Sequence, residues 1–218
     1  VDEFVFALGS GDEDDKTREE LLSIQSDKIR IIDTVWDIEK YPRGMEHAHQ
    51  TDIAKNECTG DWLFYLQADE VVHEKYLPVI RKRCEAFLED QEVEGFLFDY
   101  IHFWGDYQHL ADDHCWYRSE IRIIRNDPEI HSWESAQSFR RIPGFDGLNY
   151  RRQENTYKLR VVPTGAKIYH YGWVRPPELM QRKIKSMSRN HNGSAVVNAE
   201  DRARVYSELF DFGNIAKF

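Results

Sequence analysis

Between Asp61 and Glu70 the chain reads Asp-Trp-Leu-Phe-Tyr-Leu-Gln-Ala-Asp-Glu, an apolar run that stops at two adjacent acids. Trp62 to Leu66 carries no charge, and Thr59-Gly60 ends the segment before it, so the run is expected to form a strand buried on both faces. Such a strand needs cover on both sides, which commits the chain to a layered α/β arrangement. Asp69 and Glu70 are then expected at its carboxyl end. In open α/β sheets that edge is where ligands bind, and two carboxylates there suit a hard divalent cation that carries phosphate oxygens. A solvated strand end is the plainer reading of the same acids.

The rest of the first half alternates in the same sense. Phe4 to Leu8 reads as a buried strand, and Gly9-Ser10-Gly11 followed by Asp12 to Asp15 as a loop. That loop leads into a helix capped by Asp15 or Thr17 and continued by Leu21 and Leu22. Ile29 to Ile32 is a short strand. Pro42-Arg43-Gly44 punctuates, and Met45 to Cys58 is expected to be a helix with Ile53 and Ala54 inward. After the Trp62 to Leu66 strand, Glu74 to Phe87 forms another helix, with Pro78 tolerated in its first turns. Strand and helix in strict turn predict a parallel sheet. Later segments are longer and less regular: strands at Phe96 to Phe103, Glu120 to Arg125, Tyr157 to Val162 and Lys167 to Tyr171, then helices opening at Pro176-Pro177 and Ala199.

Charge and cysteine usage exclude several classes. With 39 acidic and 29 basic residues the chain carries a formal charge of −10, which argues against nonspecific nucleic-acid binding. Cys58, Cys84 and Cys115 have no paired spacing, so neither a disulfide framework nor a zinc ribbon is indicated, and a reducing, cytoplasmic setting is the expectation. No stretch approaches the roughly 18 apolar residues of a membrane span. Asn192-Gly193-Ser194 matches a glycosylation acceptor without a secretory signal to give it meaning. His47 and His49 lie two apart, a spacing that separates them on a helix surface. Arg81-Lys82-Arg83 reads as a solvated helix face. Arg140-Arg141 with Arg151-Arg152 forms a basic loop cluster that suits either solvent or a phosphate-bearing acceptor.

The order Asp2-Glu3-Phe4-Val5-Phe6-Ala7-Leu8-Gly9-Ser10, the loop at Gly44, the segment Cys58-Thr59-Gly60-Asp61-Trp62 and then Phe64 to Glu70 resembles the nucleotide-binding half of family 2 glycosyltransferases with the GT-A fold. The resemblance covers about residues 1 to 75 closely and the remainder through topology and His170. It implies a single Rossmann-like domain with a mixed, mainly parallel sheet. Residues 1–95 would form its nucleotide-sugar half, and residues 96–218 its acceptor half with the C-terminal helices. The family's opening strand and helix have no counterpart here, so the chain is expected to lack its beginning. Gln67 stands where the family's Asp-x-Asp motif has its first acid, and Ala7 and Leu8 stand where it has acids before Gly-Ser.

What the resemblance implies about chemistry follows residue by residue. Asp69 would hold Mn²⁺ or Mg²⁺ bridging the diphosphate of a nucleotide-sugar donor, and His170 would complete the metal site, an imidazole being acceptable to Mn²⁺. Gly9 and Ser10 would contact the nucleotide; Lys183 and Lys185, read from their place after the Pro176-Pro177 helix start and not from the resemblance, are expected to approach the diphosphate. Inverting transfer needs a base for the acceptor hydroxyl. Glu134, beside the Trp133 indole in His131 to Gln137, is the candidate, and the Asp112-Asp113 pair, Asp113 in particular, is the runner-up. The acceptor would be a glycan or glycolipid in surface polysaccharide biosynthesis, which leaves room for peripheral membrane contact. Two other readings stand beside this one. A GT-A nucleotidyltransferase would carry a basic, Gly-rich opening loop, and Asp12 to Asp15 is acidic. A catalytically silent nucleotide- or sugar-binding module is favoured by Gln67, Ala7 and Leu8.

Overall fold

The structure, a computed structural model, describes residues 1–111 and 116–190, with side chains as far as residue 187. Asp112, Asp113, Cys115, the Asn192 triplet and the expected helix at Ala199 lie outside the described residues. Mixed helix and strand make this an α/β chain. It divides into two compact units, each assembled from two separate stretches: residues 1–64 with 123–160, and residues 65–122 with 161–218. The expected division at residue 95 falls inside the second unit.

The first unit opens with β1 (Phe4–Leu8), α1 (Thr17–Ser23) and β2 (Ile29–Asp33). β1 and β2 pair in parallel, Phe4 opposite Ile29 and Leu8 opposite Asp33. Lys16, not the expected Asp15 or Thr17, holds the cap position of α1 and caps with no side-chain bond; Asp15, one residue earlier, accepts from the Thr17 amide at 2.9 Å and from its hydroxyl, which satisfies a donor that a helix start leaves open. α2 (Met45–Asn56) packs on β1. Its buried side chains are Met45, Glu46, Ala48, Gln50, Asp52 and Lys55, while the expected inward pair Ile53 and Ala54 is only half-buried. The helix buries a polar face because partners await it: Asp52 accepts from the Ser132 amide at 2.9 Å and meets His131 Nδ1 at 2.8 Å. Tyr41, Met45, Ala48 and Tyr150, with Phe145 against them, form the apolar cluster beside this network.

The apolar run at Trp62 does not become a strand buried on both faces. β3 (Trp62–Phe64) is three residues long and half-buried, and it pairs antiparallel with the second half of β6 (Ser119–Arg125). The Arg125 guanidinium lies 4.3 Å over the Trp62 ring and covers it in place of a second layer. Tyr65 to Gln67 leave the strand, so Asp69 sits in a turn and not at a strand end. Around Trp133 the chain forms a hairpin of β7 (Ile130–Trp133) and β8 (Ser138–Arg141), extended by β9 (Tyr157–Lys158), with Glu134 in the turn. Its turn is made by Glu134 and Ala136, both at φ near +60° without being glycine, a conformation no turn residue announces in sequence.

In the second unit β4 (Glu70–Val72) follows that turn at once, and a 3₁₀ turn at Glu74–Tyr76 leads into α3 (Leu77–Ala86). β5 (Gly95–Trp104) and β10 (Val161–Trp173) run parallel, with His102 opposite His170. The two strands expected at Tyr157 and Lys167 are thus redistributed. Tyr157–Lys158 becomes β9, while Val161, Val162 and all of Lys167 to Tyr171 belong to β10, which bends at Gly165, where φ is +76° and the register with β5 shifts. β4 lies antiparallel on the far side of β10, Glu70 opposite His170, so the order within this unit is β6-β5-β10-β4. β1 with β2 and β5 with β10 pair in parallel while β3 with β6 and β4 with β10 pair antiparallel, so the strand pairing is mixed. α4 (Pro177–Asn190) closes the described chain, its Met180 and Ile184 packed on Trp104 and Trp173.

Candidate functional site

Alternation along β10 decides what faces inward. Ala166, Ile168, His170 and Gly172 are buried in turn, and the intervening residues are not. Because β5 runs parallel in register, His102 stands beside His170, and because β4 pairs on the other side, Glu70 does too. The turn before β4 is fixed when its Asp69 carbonyl accepts from the Tyr171 amide at 2.8 Å. That bond brings the Asp69 carboxylate alongside His170 and Gly172.

Glu70, expected as a second acid at the ligand edge, is not available to a ligand. Its side chain is fully buried and bidentate on Arg122, Nη2 to Oε1 at 2.8 Å and Nε to Oε2 at 2.9 Å, and it also accepts from the Tyr100 hydroxyl at 2.8 Å. Arg122 is itself 1% exposed and flanked by the rings of Tyr65 and Tyr100, each 5.3 Å away. A buried ion pair is tolerated when further hydrogen bonds satisfy its polar atoms, and here each guanidinium nitrogen has a partner, Nη1 donating to the Ile121 carbonyl. Burial, and secondarily the Glu70 carboxylate, push the Tyr100 phenol far up, so it stays a donor.

Asp69 keeps a different company. Lys183 Nζ donates to its Oδ2 at 2.9 Å and to the Gly172 carbonyl oxygen at 2.8 Å. His170 Nε2 lies 3.8 Å from Asp69 Oδ1. Burial alone would raise the Asp69 carboxyl, but the Lys183 ammonium, through its charge and its hydrogen bond, draws it below the ordinary range. α4 places Lys183 through its anchors, since Met180 and Ile184 are buried on either side of it.

The protons on the two histidines can be assigned by elimination. Burial lowers both rings below the ordinary histidine value, so both are neutral near pH 7. His102 Nε2 meets the Tyr117 carbonyl at 2.8 Å. A carbonyl only accepts, so His102 carries its proton there and its Nδ1 is a lone pair. That lone pair lies 2.9 Å from His170 Nδ1, which must therefore donate. His170 Nε2 is left as a lone pair facing the Asp69 carboxylate. Two acceptors then confront each other with no proton between them, an arrangement that a cation relieves.

Gly172 provides the room. A Cβ on it would come 2.6 Å from His170 Nε2 and 2.7 Å from Asp69 Oδ2, so only glycine leaves that space open. An imidazole lone pair, a carboxylate and a backbone carbonyl fit a divalent cation, and the nitrogen suits Mn²⁺ better than Mg²⁺. Among the described residues no group of three or more His, Cys, Asp or Glu side chains is placed to hold a metal. Further ligands would thus come from the Gly172 carbonyl and from a bound anion.

Other expected site residues lie in the first unit. Gly9 and Ser10 line a cleft with Arg18, Asp33, Thr34 and Val35 at the carboxyl ends of β1 and β2. Gly9 is needed there for contact, because a Cβ would meet Trp36 Nε1 at 2.4 Å. Arg18 and Asp33 form an ion pair. Close in sequence and on α2, the buried Glu46 and Gln50 each keep one side-chain oxygen without a partner, as does the Thr34 hydroxyl. Glu134 is one-third exposed with its carboxylate 3.9 Å from Arg151. The Trp133 indole beside it is 6% exposed and covered by Arg140, so that face is not open to a sugar. Arg141 is held by Asp127 at 2.8 Å and Glu129 at 2.9 Å, and Arg152 donates to the Pro143 carbonyl, which accounts for much of the basic cluster.

Asp69, His170 and Lys183 are therefore brought together, while Gly9, Ser10 and Glu134 belong to the other unit. His102 and Gly172 were missed in the sequence. Their only signal is register: the β5–β10 pairing sets His102 against a histidine 68 residues away. Compared with known proteins, the chain is matched by no family model and by no curated protein.

Proposed function

We propose that the chain is a metal-dependent glycosyltransferase of the GT-A type, resembling family 2, that moves a sugar from a nucleotide-diphosphate donor to an acceptor hydroxyl with inversion. The observation that carries this reading is the gap cleared by Gly172, where an imidazole lone pair and a carboxylate face each other with an ammonium alongside. Departure of a nucleoside diphosphate concentrates negative charge on phosphate oxygens, and a bound divalent ion would neutralise that charge without reorganisation. Asp69 and His170 hold the ion in this reading, and Lys183 adds a second positive charge. Gly9 and Ser10 let the nucleotide approach the backbone. Glu134 takes the acceptor proton, with Asp113 as the alternative base. The acceptor is a glycan or glycolipid, and the setting is cytoplasmic. Among the described residues no helix is long and apolar enough to cross a membrane.

Calorimetric titration with UDP, GDP and dTDP, with and without Mn²⁺, tests the reading. At least one nucleotide should bind in a metal-dependent way, and Asp69→Asn should abolish that binding while the fold survives. Unchanged affinity in the variant would remove Asp69 from the site. Gln67, in place of an acid, favours a silent nucleotide-binding module as the second reading. Metal-dependent turnover of any of the corresponding nucleotide sugars excludes it. Binding without turnover across all of them supports it.

A further inference from the structure

Lys183 occupies the oxygens that a metal ion would need. Its ammonium is bonded to Asp69 Oδ2 and to the Gly172 carbonyl, and these two atoms with His170 Nε2 border the gap. A divalent cation and an ammonium cannot both sit on them. Two positive charges side by side in a partly buried site repel strongly, and the lone pairs that Lys183 uses are those the ion would take. We propose that Lys183 is an exchangeable cation. It holds Asp69 and Gly172 while the site is free of metal, yields both oxygens when a divalent ion enters, and passes to the diphosphate that arrives with the ion. This inference rests on the reading of Asp69 and His170 as metal ligands.

Three features of the site support exchange over a permanent ion pair. The first is the lone pair on His170 Nε2, fixed by the chain of hydrogen bonds through His102 to the Tyr117 carbonyl. Lys183 contacts Asp69 and Gly172, so that nitrogen is left for another cation. The second is the choice of residue. A lysine is a compact charge on a flexible stem and can leave one partner for another by rotation of its own torsions, which an arginine forked on a carboxylate does less readily. The third is anchorage. α4 is held by Met180 and Ile184, not by Lys183, whose side chain is 22% exposed. The ammonium can swing without repacking the helix.

Exchange makes a thermodynamic demand. If ammonium and metal compete, removing the ammonium must raise metal affinity, and adding metal must loosen the ammonium to the same degree. A diphosphate gives the displaced ammonium a new partner. Nucleotide should therefore raise Mn²⁺ affinity more in the wild type than in a protein without the charge.

The experiment titrates the full chain with Mn²⁺ alone, followed by the electron paramagnetic resonance of the free ion, for wild type, Lys183→Met, Lys183→Arg and Asp69→Asn. Lys183→Met is expected to bind Mn²⁺ at least about 10-fold more tightly than wild type, in the range of ordinary coupling between two sites, and Lys183→Arg, whose fork leaves the carboxylate less readily, to bind it more weakly than wild type. Asp69→Asn should lose binding. Adding UDP should tighten Mn²⁺ binding in wild type by a larger factor than in Lys183→Met. Equal or weaker binding by Lys183→Met, with Asp69→Asn still defective, overturns the exchange and leaves the metal site standing. Unchanged binding in Asp69→Asn overturns the metal site itself. Lysine acetylation of the unmutated protein, read by mass spectrometry, gives a check that needs no variant to fold. Mn²⁺ should increase modification of Lys183 and UDP with Mn²⁺ should reduce it again, whereas labelling indifferent to Mn²⁺ counts against exchange.

Discussion

At the residue scale, Gly172 and Arg122 show two ways in which a side chain can be irreplaceable. Gly172 matters through what it lacks. Gly172→Ala would drive a methyl group into His170 Nε2 and Asp69 Oδ2, at a cost of about 1–3 kcal/mol for forced displacement in a packed site. Thermal unfolding should register that loss, and calorimetry should show Mn²⁺ binding gone; retained binding would mean the cation does not use this gap. Arg122 matters through what it must satisfy. Arg122→Met leaves the Glu70 carboxylate buried without its counter-charge, and about 3–5 kcal/mol should be lost. Adding Glu70→Gln to that variant should recover part of the loss, a coupling that a double-mutant cycle in urea would measure. Glu134→Gln, if Glu134 is the base, should lower turnover by roughly 10²–10⁴ while sparing donor binding. Asp69 was legible as the acid that ends an apolar run, and His170, which lies inside β10, was paired with it only through the family resemblance. His102, Gly172 and the capture of Glu70 by Arg122 were not legible, since each depends on register between segments tens of residues apart.

At the element scale, periodicity was readable wherever a segment made its own structure. β1, α1, β2 and α3 fall close to their expected bounds, because an apolar run or a capped, Gly-free stretch is local information. α2 was placed but turned wrongly, since its inward face is polar and finds partners, such as Ser132 and His131, that lie far along the chain. The Trp62 run misled for the opposite reason: its aromatic rings are covered by a cation, not by a second layer. β10 was read as two strands because Gly165 and Pro163 interrupt it. At Gly165 the positive φ alone should matter, as nothing lies within 4 Å of where a Cβ would go. Gly165→Ala is therefore expected to cost about 1–2 kcal/mol, the penalty of an L-residue in the left-handed region, with no loss of Mn²⁺ binding. A larger loss would show that the bend also carries packing.

At the scale of the whole molecule, the buried histidines set an acid limit on stability. His49, His102 and His170 are each held below the ordinary value, burial being the leading cause. As pH falls through the ordinary histidine range near 6.5, the unfolded chain takes up protons that the folded rings refuse, so stability is complete above that range and declines towards the lowered folded values. Asp69 has the opposite position on the scale. Its carboxyl is held below its ordinary value, so its contribution persists through the histidine window and is lost only at more acid pH, as pH falls through its folded value. Urea midpoints of the metal-free protein should therefore drop between about pH 7.5 and about pH 5.5; a flat or rising midpoint would mean these rings are protonated in the fold.

The division into two units, each made from two separated stretches, has a consequence for how the chain comes into being. When residues 1–64 have left the ribosome no unit is complete, and the first acquires its second half only once residue 160 has emerged. Its hairpin of β7 and β8, which supplies the Asp52 partners His131 and Ser132, is made after most of the other unit's sheet strands. Vectorial synthesis thus cannot finish the first unit before the second has begun to emerge, as it does for domains strung in series. Closure over such long sequence separations belongs to the slow end of folding, and a chain stopped between residues 64 and 122 would expose α2's buried polar face with nothing to receive it.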